Sequence, residues 1–152
     1  MGNIAVDEKL PLEKMVLLKF ALEVACELCG CDTGSIMFVE GDKLVIKGYL
    51  TSDPAVTPSS NIGISLKVGK RIAGRTVATG KPIIIDGDIN NDARFVGIQK
   101  FRKINAGASI PIVFEGKPKG VINISRTQTG GAINEKDIDT VVTVAQKLGQ
   151  IL

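Results

Sequence analysis

Three closely spaced cysteines are the first residues that could do chemistry. Cys26, Cys29 and Cys31 are spaced C-x-x-C-x-C, and the sequence has three cysteines and no histidine. A structural zinc ion needs four such ligands, and an odd number of cysteines does not make a disulfide framework. We interpret them as small apolar residues, with no metal site, in a reducing, cytoplasmic compartment. An iron–sulfur or redox role is the alternative.

Composition excludes several other functions. Without histidine, the chain can supply neither a histidine general base nor an axial histidine for haem. A net charge of +3 is too small to indicate nucleic-acid binding, and no apolar run reaches the roughly 18 residues that indicate a membrane span. The sequence therefore predicts no catalytic residue, no enzymatic activity and no membrane contact by this segment, and it names no cofactor.

A polar segment between two apolar stretches is the remaining candidate site. It has two interpretations: a loop whose side chains bond their own backbone, or one wall of a ligand pocket. Residues 67–103 carry nine basic and three acidic residues, either as a solvated surface or as a pocket rim that favours anions. Arg94 is the best single candidate, because a guanidinium can grip an anion through two hydrogen bonds. The candidate ligand-binding residues are Asp86, Asn90, Asn91, Asp92, Arg94 and Phe95.

Helical periodicity predicts the elements that must position such a pocket. Residues 11–29 form a helix with an apolar arc wider than one sheet face requires, and a final amphipathic helix runs from 135 to the end. A short helix over 70–79 ends at Gly80, and Gly74 inside it suggests close packing against another element. A further short helix is predicted within 93–104.

Alternating apolar residues and turn residues predict the strands. Two hairpins, 35–40 with 43–51 and 106–115 with 120–127, are joined by glycine-containing turns, and Ile83-Ile84-Ile85 forms a short strand. Hairpins imply an antiparallel sheet, which the two terminal helices can cover on one face.

Four of these segments, in this order, resemble a GAF domain. They are the strand 34–39, the glycine-rich stretch 69–82 that ends Thr-Gly-Lys-Pro, the hairpin around 109–124, and the acidic start of the last helix at 133–137. The resemblance implies an α+β, PAS/GAF-like antiparallel sheet of five or six strands, with the terminal helices packed on one face and segment 86–104 on the other. We expect residues 1–10 to be an N-terminal extension and 11–152 a single domain.

The resemblance implies a sensory module of bacterial signal-transduction proteins, such as two-component systems. Such a module binds a small molecule or only transmits a signal through its helices to an effector domain. The ligand is unidentified, and the basic charge of 67–103 favours an anion. Relatives that bind tetrapyrroles or reduce free methionine sulfoxide use pocket cysteines, and residues 62–115 contain none. The cyclic-nucleotide pattern of the family is also incomplete. A reductase of the methionine sulfoxide type and a ligand-free dimerisation domain are the alternatives.

The surplus apolar surface of the terminal helices predicts self-association. A two-fold dimer in which these helices form a bundle is the simplest closed arrangement. The residues expected in that interface are Leu17, Leu18, Leu22, Val141 and Leu148.

Overall fold

The structure is a computed structural model that describes residues 3–87 and 104–151. The described chain contains three helices and seven strands, with a short 3-10 turn at Pro58–Asn61. In chain order they are β1 Asn3–Val6, α1 Leu12–Leu28, β2 Thr33–Glu40, β3 Lys43–Thr51, β4 Ser65–Lys67, α2 Arg71–Thr79, β5 Ile83–Ile85, β6 Ala106–Phe114, β7 Lys117–Arg126 and α3 Glu135–Ile151. The bounds of α1, β3 and β5 agree with the periodicity of the sequence to within a residue.

The strands form one antiparallel sheet, which confirms the predicted fold class. The strand order is β1-β3-β2-β7-β6-β5, and β4 also pairs with β3. β1 and β4 share one edge of β3, because β1 pairs with residues 48–51 and β4 with residues 43–45. These two short strands bring the sheet to seven strands, where the sequence predicted five or six.

The N-terminal residues need a correction. Residues 1–10 were expected to be an extension outside the domain, but Asn3–Val6 is an edge strand hydrogen-bonded to β3. Ile4, Ala5 and Val6 are apolar in succession and do not alternate with polar residues, so periodicity does not identify this short segment as a strand. The backbone groups that β3 leaves unpaired on its outer edge provide the partner that local sequence does not show.

α1 and α3 lie together on one face of the sheet, as predicted. Their inward residues join apolar residues of β2, β6 and β7 in one core cluster. This packing corrects the expected dimer residues, because Leu18, Leu22, Val141 and Leu148 are buried inside the protomer. Leu17 is half-buried against the same core. The large apolar residues that α1 leaves exposed are Leu12, Val16, Phe20 and Leu28.

α2 packs on the opposite face of the sheet. Its Ala73 and Val77 meet Met37, Leu44 and Val121 in a second, smaller apolar cluster. The predicted end of the helix is confirmed, because Gly80 has the left-handed φ of +68° that glycine adopts without a steric penalty. The close approach that Gly74 suggested is also present: an added Cβ would lie 2.7 Å from the Lys67 carbonyl oxygen.

Two sets of side-chain hydrogen bonds, made by Asp32 and Arg126, stabilise the end of the sheet where α1 leads into β2. The Asp32 carboxylate accepts hydrogen bonds from the Thr127 hydroxyl at 2.7 Å and from the Thr127 and Gln128 amides at 3.0 and 3.2 Å. Arg126 donates to the Cys29 carbonyl at 2.7 Å and to the Gly131 carbonyl at 3.1 Å. These bonds tie the C-terminal end of α1 to the segment that leads into α3.

Candidate functional site

A cavity of about 620 Å3 lies on the α2 face of the sheet. Its walls are largely apolar and include Met37, Leu66, Ile72, Ile85 and Ile104. This size and character are those of small-molecule sites, which are mostly apolar with a few placed polar groups. The strands provide the floor, and the first turn of α2 provides part of the rim.

The floor of the cavity is a chain of three polar side chains from three adjacent strands. The Ser109 hydroxyl donates to Asn123 Oδ1 at 2.7 Å, and Asn123 Nδ2 donates to the Ser35 hydroxyl oxygen at 3.1 Å. Ser35 and Ser109 are the direct register partners of Asn123 on its two sides. The antiparallel register therefore builds this chain from residues that are distant in sequence.

Strand alternation explains why these polar residues face the cavity. Successive side chains of a strand point to opposite faces, and Ile122 and Ile124 belong to the core under α1 and α3. Asn123, between them, therefore points to the other face. Ser109 is placed in the same way between Ala108 and Ile110. Buried polar residues must be hydrogen-bonded, and the Ser109–Asn123–Ser35 chain satisfies that requirement.

Arg71 is the one charged side chain among the cavity-lining residues in the described part of the chain. It is exposed and opens α2. Its φ of +57° lies in the left-handed region, which costs a residue with a side chain roughly 1–2 kcal/mol. Strained backbone of this kind clusters at functional sites.

Of the predicted site residues, the structure describes Asp86, which lies beside the cavity. Asp86 is exposed and is not among the lining residues, although its neighbour Ile85 is. Asn90, Asn91, Asp92, Arg94 and Phe95 lie outside the described residues, as does most of the predicted helix within 93–104. Their role in binding stays a prediction.

Sequence reasoning missed the floor and the rim of the cavity. Ser35, Ser109 and Asn123 each carry a polar side chain inside an otherwise apolar strand, and that interruption is the signal that could have found them. Arg71 was read only as part of a basic segment. No local pattern marks it as a lining residue, because its position depends on how α2 packs on the sheet.

The cysteines lie away from the cavity, in the core under α1 and α3. All three are buried, which confirms their interpretation as buried apolar residues. Burial raises the pKa of the Cys29 thiol to about 11 and that of Cys31 to about 12, and it raises the pKa of Cys26 further. Because the thiolate is the reactive form, these side chains are poor nucleophiles in the folded protein.

None of the described helices is both long and apolar enough to cross a membrane.

Comparison with known proteins agrees with this architecture. The family model of the GAF domain matches residues 15–152, and the chain therefore belongs to the GAF domain family. A comparison with curated protein sequences finds no match.

Solved structures of similar fold come from several classes of protein. The GAF domain of a phosphoenolpyruvate-protein phosphotransferase from Coxiella burnetii has a TM-score of 0.69 and 21% identity, over 88% of this chain and 78% of that one. A GAF domain/HD domain protein from Geobacter sulfurreducens has a TM-score of 0.74 and 10% identity, over 90% and 89%. The type II free methionine-R-sulfoxide reductase from Thermoplasma acidophilum has a TM-score of 0.61 and 13% identity, over 88% and 93%. At these identities the likeness shows the fold alone.

Proposed function

We propose that this GAF domain is a sensory and regulatory module that binds a small molecule in the cavity on the α2 face. The observation that carries this proposal is the hydrogen-bonded Ser109–Asn123–Ser35 chain, with two buried serines and a half-buried asparagine, at the floor of an apolar-walled cavity. A polar network in that position orients a ligand through hydrogen bonds while the walls contribute apolar contact. A domain that serves only for dimerisation needs no such floor.

Strands β6 and β7 contribute both to the cavity floor and to the face of the sheet on which the terminal helices pack. In β6, Ser109 faces the cavity while Ile110 and Ile112 lie in the core under α1 and α3. In β7, Asn123 faces the cavity and Arg126 clasps the end of α1 to the segment before α3. A ligand that changes the position of β6 or β7 thereby acts on the packing of α3, which is the route we propose toward an effector domain in a bacterial signalling protein.

Native mass spectrometry of the purified protein tests ligand binding directly. We expect a co-purified small molecule to appear as added mass and to be lost in Asn123→Leu, which keeps side-chain volume but removes the floor's hydrogen bonds. Gln146→Leu is the matched control, because it makes a similar amide-to-apolar change on the exposed face of α3. Circular dichroism establishes that both variants fold. The proposal fails if no preparation carries added mass and a small-molecule extract of the host cells does not raise the melting temperature.

We favour regulation over a thiol-dependent reductase activity. A reductase of this fold needs a thiolate beside its substrate, and Cys26, Cys29 and Cys31 are buried in the core on the other face of the sheet. A thioredoxin-coupled assay on free methionine sulfoxide should show no turnover above buffer. Turnover that disappears when any of these cysteines is changed to serine would establish the enzymatic alternative.

We also propose that the module forms a homodimer through the exposed stripe of α1, defined by Leu12, Val16, Phe20 and Leu28. Phe20 is 66% exposed. Leaving so much aromatic surface in water is unfavourable, and exposed apolar patches of this kind mark interaction sites. Lys19 and Glu23 flank it with opposite charges, so the stripe of a second copy offers a complementary pair. A groove lined by Ile4, Val6 and Met15 continues the apolar surface beside Val16.

Sedimentation equilibrium at micromolar concentration tests this assembly. We expect a dimer for the wild type and a monomer for Phe20→Lys, because a charge at the centre of the stripe would have to be buried unpaired. Ile151→Lys is the matched control, since Ile151 is similarly exposed but lies on α3. A wild-type chain that stays a 16.1 kDa monomer well above this concentration range contradicts the dimer.

A further inference from the structure

One part of the cavity lining comes from the side chains of Thr33 and Ser125. They are direct register partners on β2 and β7, and they form the next pair on the same face of these strands after Ser35 and Asn123 of the cavity floor. Thr33 is the first residue of β2. The cavity therefore reaches the end of the sheet where α1 leads into β2.

A single carboxylate lies between this lining and the segment that leads into α3. Asp32 Oδ1 accepts a hydrogen bond from the Thr33 hydroxyl at 3.0 Å and another from the Thr127 hydroxyl at 2.7 Å. Asp32 Oδ2 accepts hydrogen bonds from the backbone amides of Thr127 and Gln128 at 3.0 and 3.2 Å. A cavity-lining hydroxyl and the donors of the segment after β7 therefore share one carboxylate.

The Thr33 hydroxyl can give its proton to only one acceptor at a time. It has one proton, and Asp32 receives it. A bound molecule with an acceptor atom beside Thr33 would compete for that proton, and Asp32 would then lose one of its donors. Hydrogen bonds to an ionised group are among the stronger ones in proteins, so this loss would weaken the hold of Asp32 on the segment after β7.

That segment continues directly into the last helix. α3 begins at Glu135, and Arg126 holds the same segment through the Gly131 carbonyl. Because the segment is short and is fixed by few hydrogen bonds, a change at Asp32 would alter the start of α3.

We propose that Thr33 communicates occupancy of the cavity to α3 by giving up its hydrogen bond to Asp32 when a ligand binds. This inference rests on the proposed function and adds a specific route to it. The route does not require β6 or β7 to move, because one hydroxyl proton changes its acceptor. Thr33 is a positioning residue, since it acts on α3 through Asp32.

Thr33→Val tests the first step, because valine has nearly the shape of threonine without the hydroxyl. Burial raises the pKa of Asp32 and hydrogen bonds, that of Thr33 among them, lower it. We expect the pKa of Asp32, followed by NMR of its carboxyl carbon, to be higher in Thr33→Val and to return toward the wild-type value in Thr33→Ser. Thr76→Val is the matched control, because Thr76 is also buried but its hydroxyl donates to the Ile72 carbonyl at 3.0 Å.

Hydrogen exchange of backbone amides tests the second step. The Gln128 amide donates to Asp32, and the Ile138 amide donates to the Asn134 carbonyl at the start of α3. In Thr33→Val we expect Gln128 to exchange about tenfold faster than in the wild type, and Ile138 to exchange faster by a smaller factor. Thr33→Ser and the control should leave both rates unchanged. A higher Asp32 pKa with unchanged exchange at both amides overturns the route, as does an equal rise at every protected amide, which would mean general destabilisation.

The wild-type chain tests the part played by the ligand. The protein as isolated is compared with the same protein refolded after dialysis from urea. Where native mass spectrometry shows added mass on the isolated protein, we expect its Asp32 pKa to be higher than in the refolded protein, and this difference to be absent in Thr33→Val. This comparison decides the inference even if the valine variant does not fold.

The outcomes separate this inference from the proposed function. Added mass with the same Asp32 pKa in both wild-type preparations overturns the route through Thr33 and leaves the sensory function standing. If no preparation carries added mass, the proposed function fails by its own test, and the inference that rests on it fails as well.

Discussion

Replacing Gly74 by alanine tests how tightly α2 is seated on the turn that precedes it. On an exposed helix this change would stabilise the protein by about 1 kcal/mol, because glycine is a poor helix former. Here the added Cβ would lie 2.7 Å from the Lys67 carbonyl oxygen and 2.9 Å from the Gly69 nitrogen. Both neighbours are backbone atoms, so no side-chain rotation can relieve the contact.

The structure also indicates why the turn resists displacement. The Gly69 amide donates to the Gly74 carbonyl at 2.9 Å, the Lys70 amide to Lys67 at 3.1 Å, and the Val68 amide to Asp42 at 2.9 Å. To reach an ordinary contact at 3.4 Å, the added Cβ and the Lys67 carbonyl oxygen would have to move apart by about 0.7 Å. That movement strains these hydrogen bonds. Overpacking costs about 1–3 kcal/mol, and because backbone must move we expect the upper part of that range, about 2–3 kcal/mol. After the gain of about 1 kcal/mol in helix propensity, the net loss is about 1–2 kcal/mol.

Thermal unfolding followed by circular dichroism measures the effect. A loss of this size lowers the melting temperature of a chain of this length by roughly 2–8 °C. Gly130→Ala is the control, because nothing lies within 4 Å of its added Cβ, and its free energy of unfolding should stay within about 0.5 kcal/mol of the wild type. A Gly74→Ala protein at least as stable as the wild type would refute the close packing of α2. Since the first turn of α2 borders the cavity, the same variant should weaken ligand binding.

Three further experiments test other parts of the structure. Burial raises the pKa of Asp32, but the hydrogen bonds that its carboxylate accepts from Thr127, Thr33 and Gln128 outweigh that effect, so the pKa is lowered. Asp32→Asn should therefore reduce the free energy of unfolding, measured in urea at pH 7, by about 1–2 kcal/mol. That difference should shrink below about pH 4, as the wild-type carboxylate takes up a proton, and a difference that does not depend on pH would contradict the role of the charge. Native protein at pH 8 should not react with Ellman's reagent, whereas three thiols should react in denaturant; rapid reaction of the native protein would show that the cysteines are accessible. Leu22→Ala should lower the free energy of unfolding in urea by about 2–5 kcal/mol, because Leu22 is 0% exposed. Phe20→Ala, measured at monomeric concentrations, should lower it by less than about 0.5 kcal/mol, because Phe20 is 66% exposed. Equal losses would mean that α1 packs through a different face.

The elements whose signals are local could be predicted from the amino-acid sequence alone. The periodicity of 11–29 identified α1, and Gly80 before Lys81-Pro82 identified the end of α2. The hairpin that joins β2 to β3 and the hairpin that joins β6 to β7 followed from turn glycines between apolar runs. The antiparallel sheet and the shared face of the terminal helices followed from this order, because strands joined by short turns must run in opposite directions.

Tertiary structure decided which side of α1 is buried. The helix carries apolar residues on most of its circumference, so its periodicity could not choose between the row of Leu18 and Leu22 and the row of Val16 and Phe20. Packing against the sheet and α3 buries the first row and leaves the second exposed. β1 and β4 depend on the tertiary structure in the same way, because strands this short exist only where β3 offers them backbone partners.

The cavity floor depended most completely on the tertiary structure. Ser35 and Asn123 are 88 residues apart in the chain, and no local pattern relates them. They meet because the antiparallel register of β2 and β7 sets them opposite each other, while strand alternation turns the neighbouring isoleucines into the core. Local sequence encodes which residues form strands, but the alignment of one strand against another decides which polar side chains share a site.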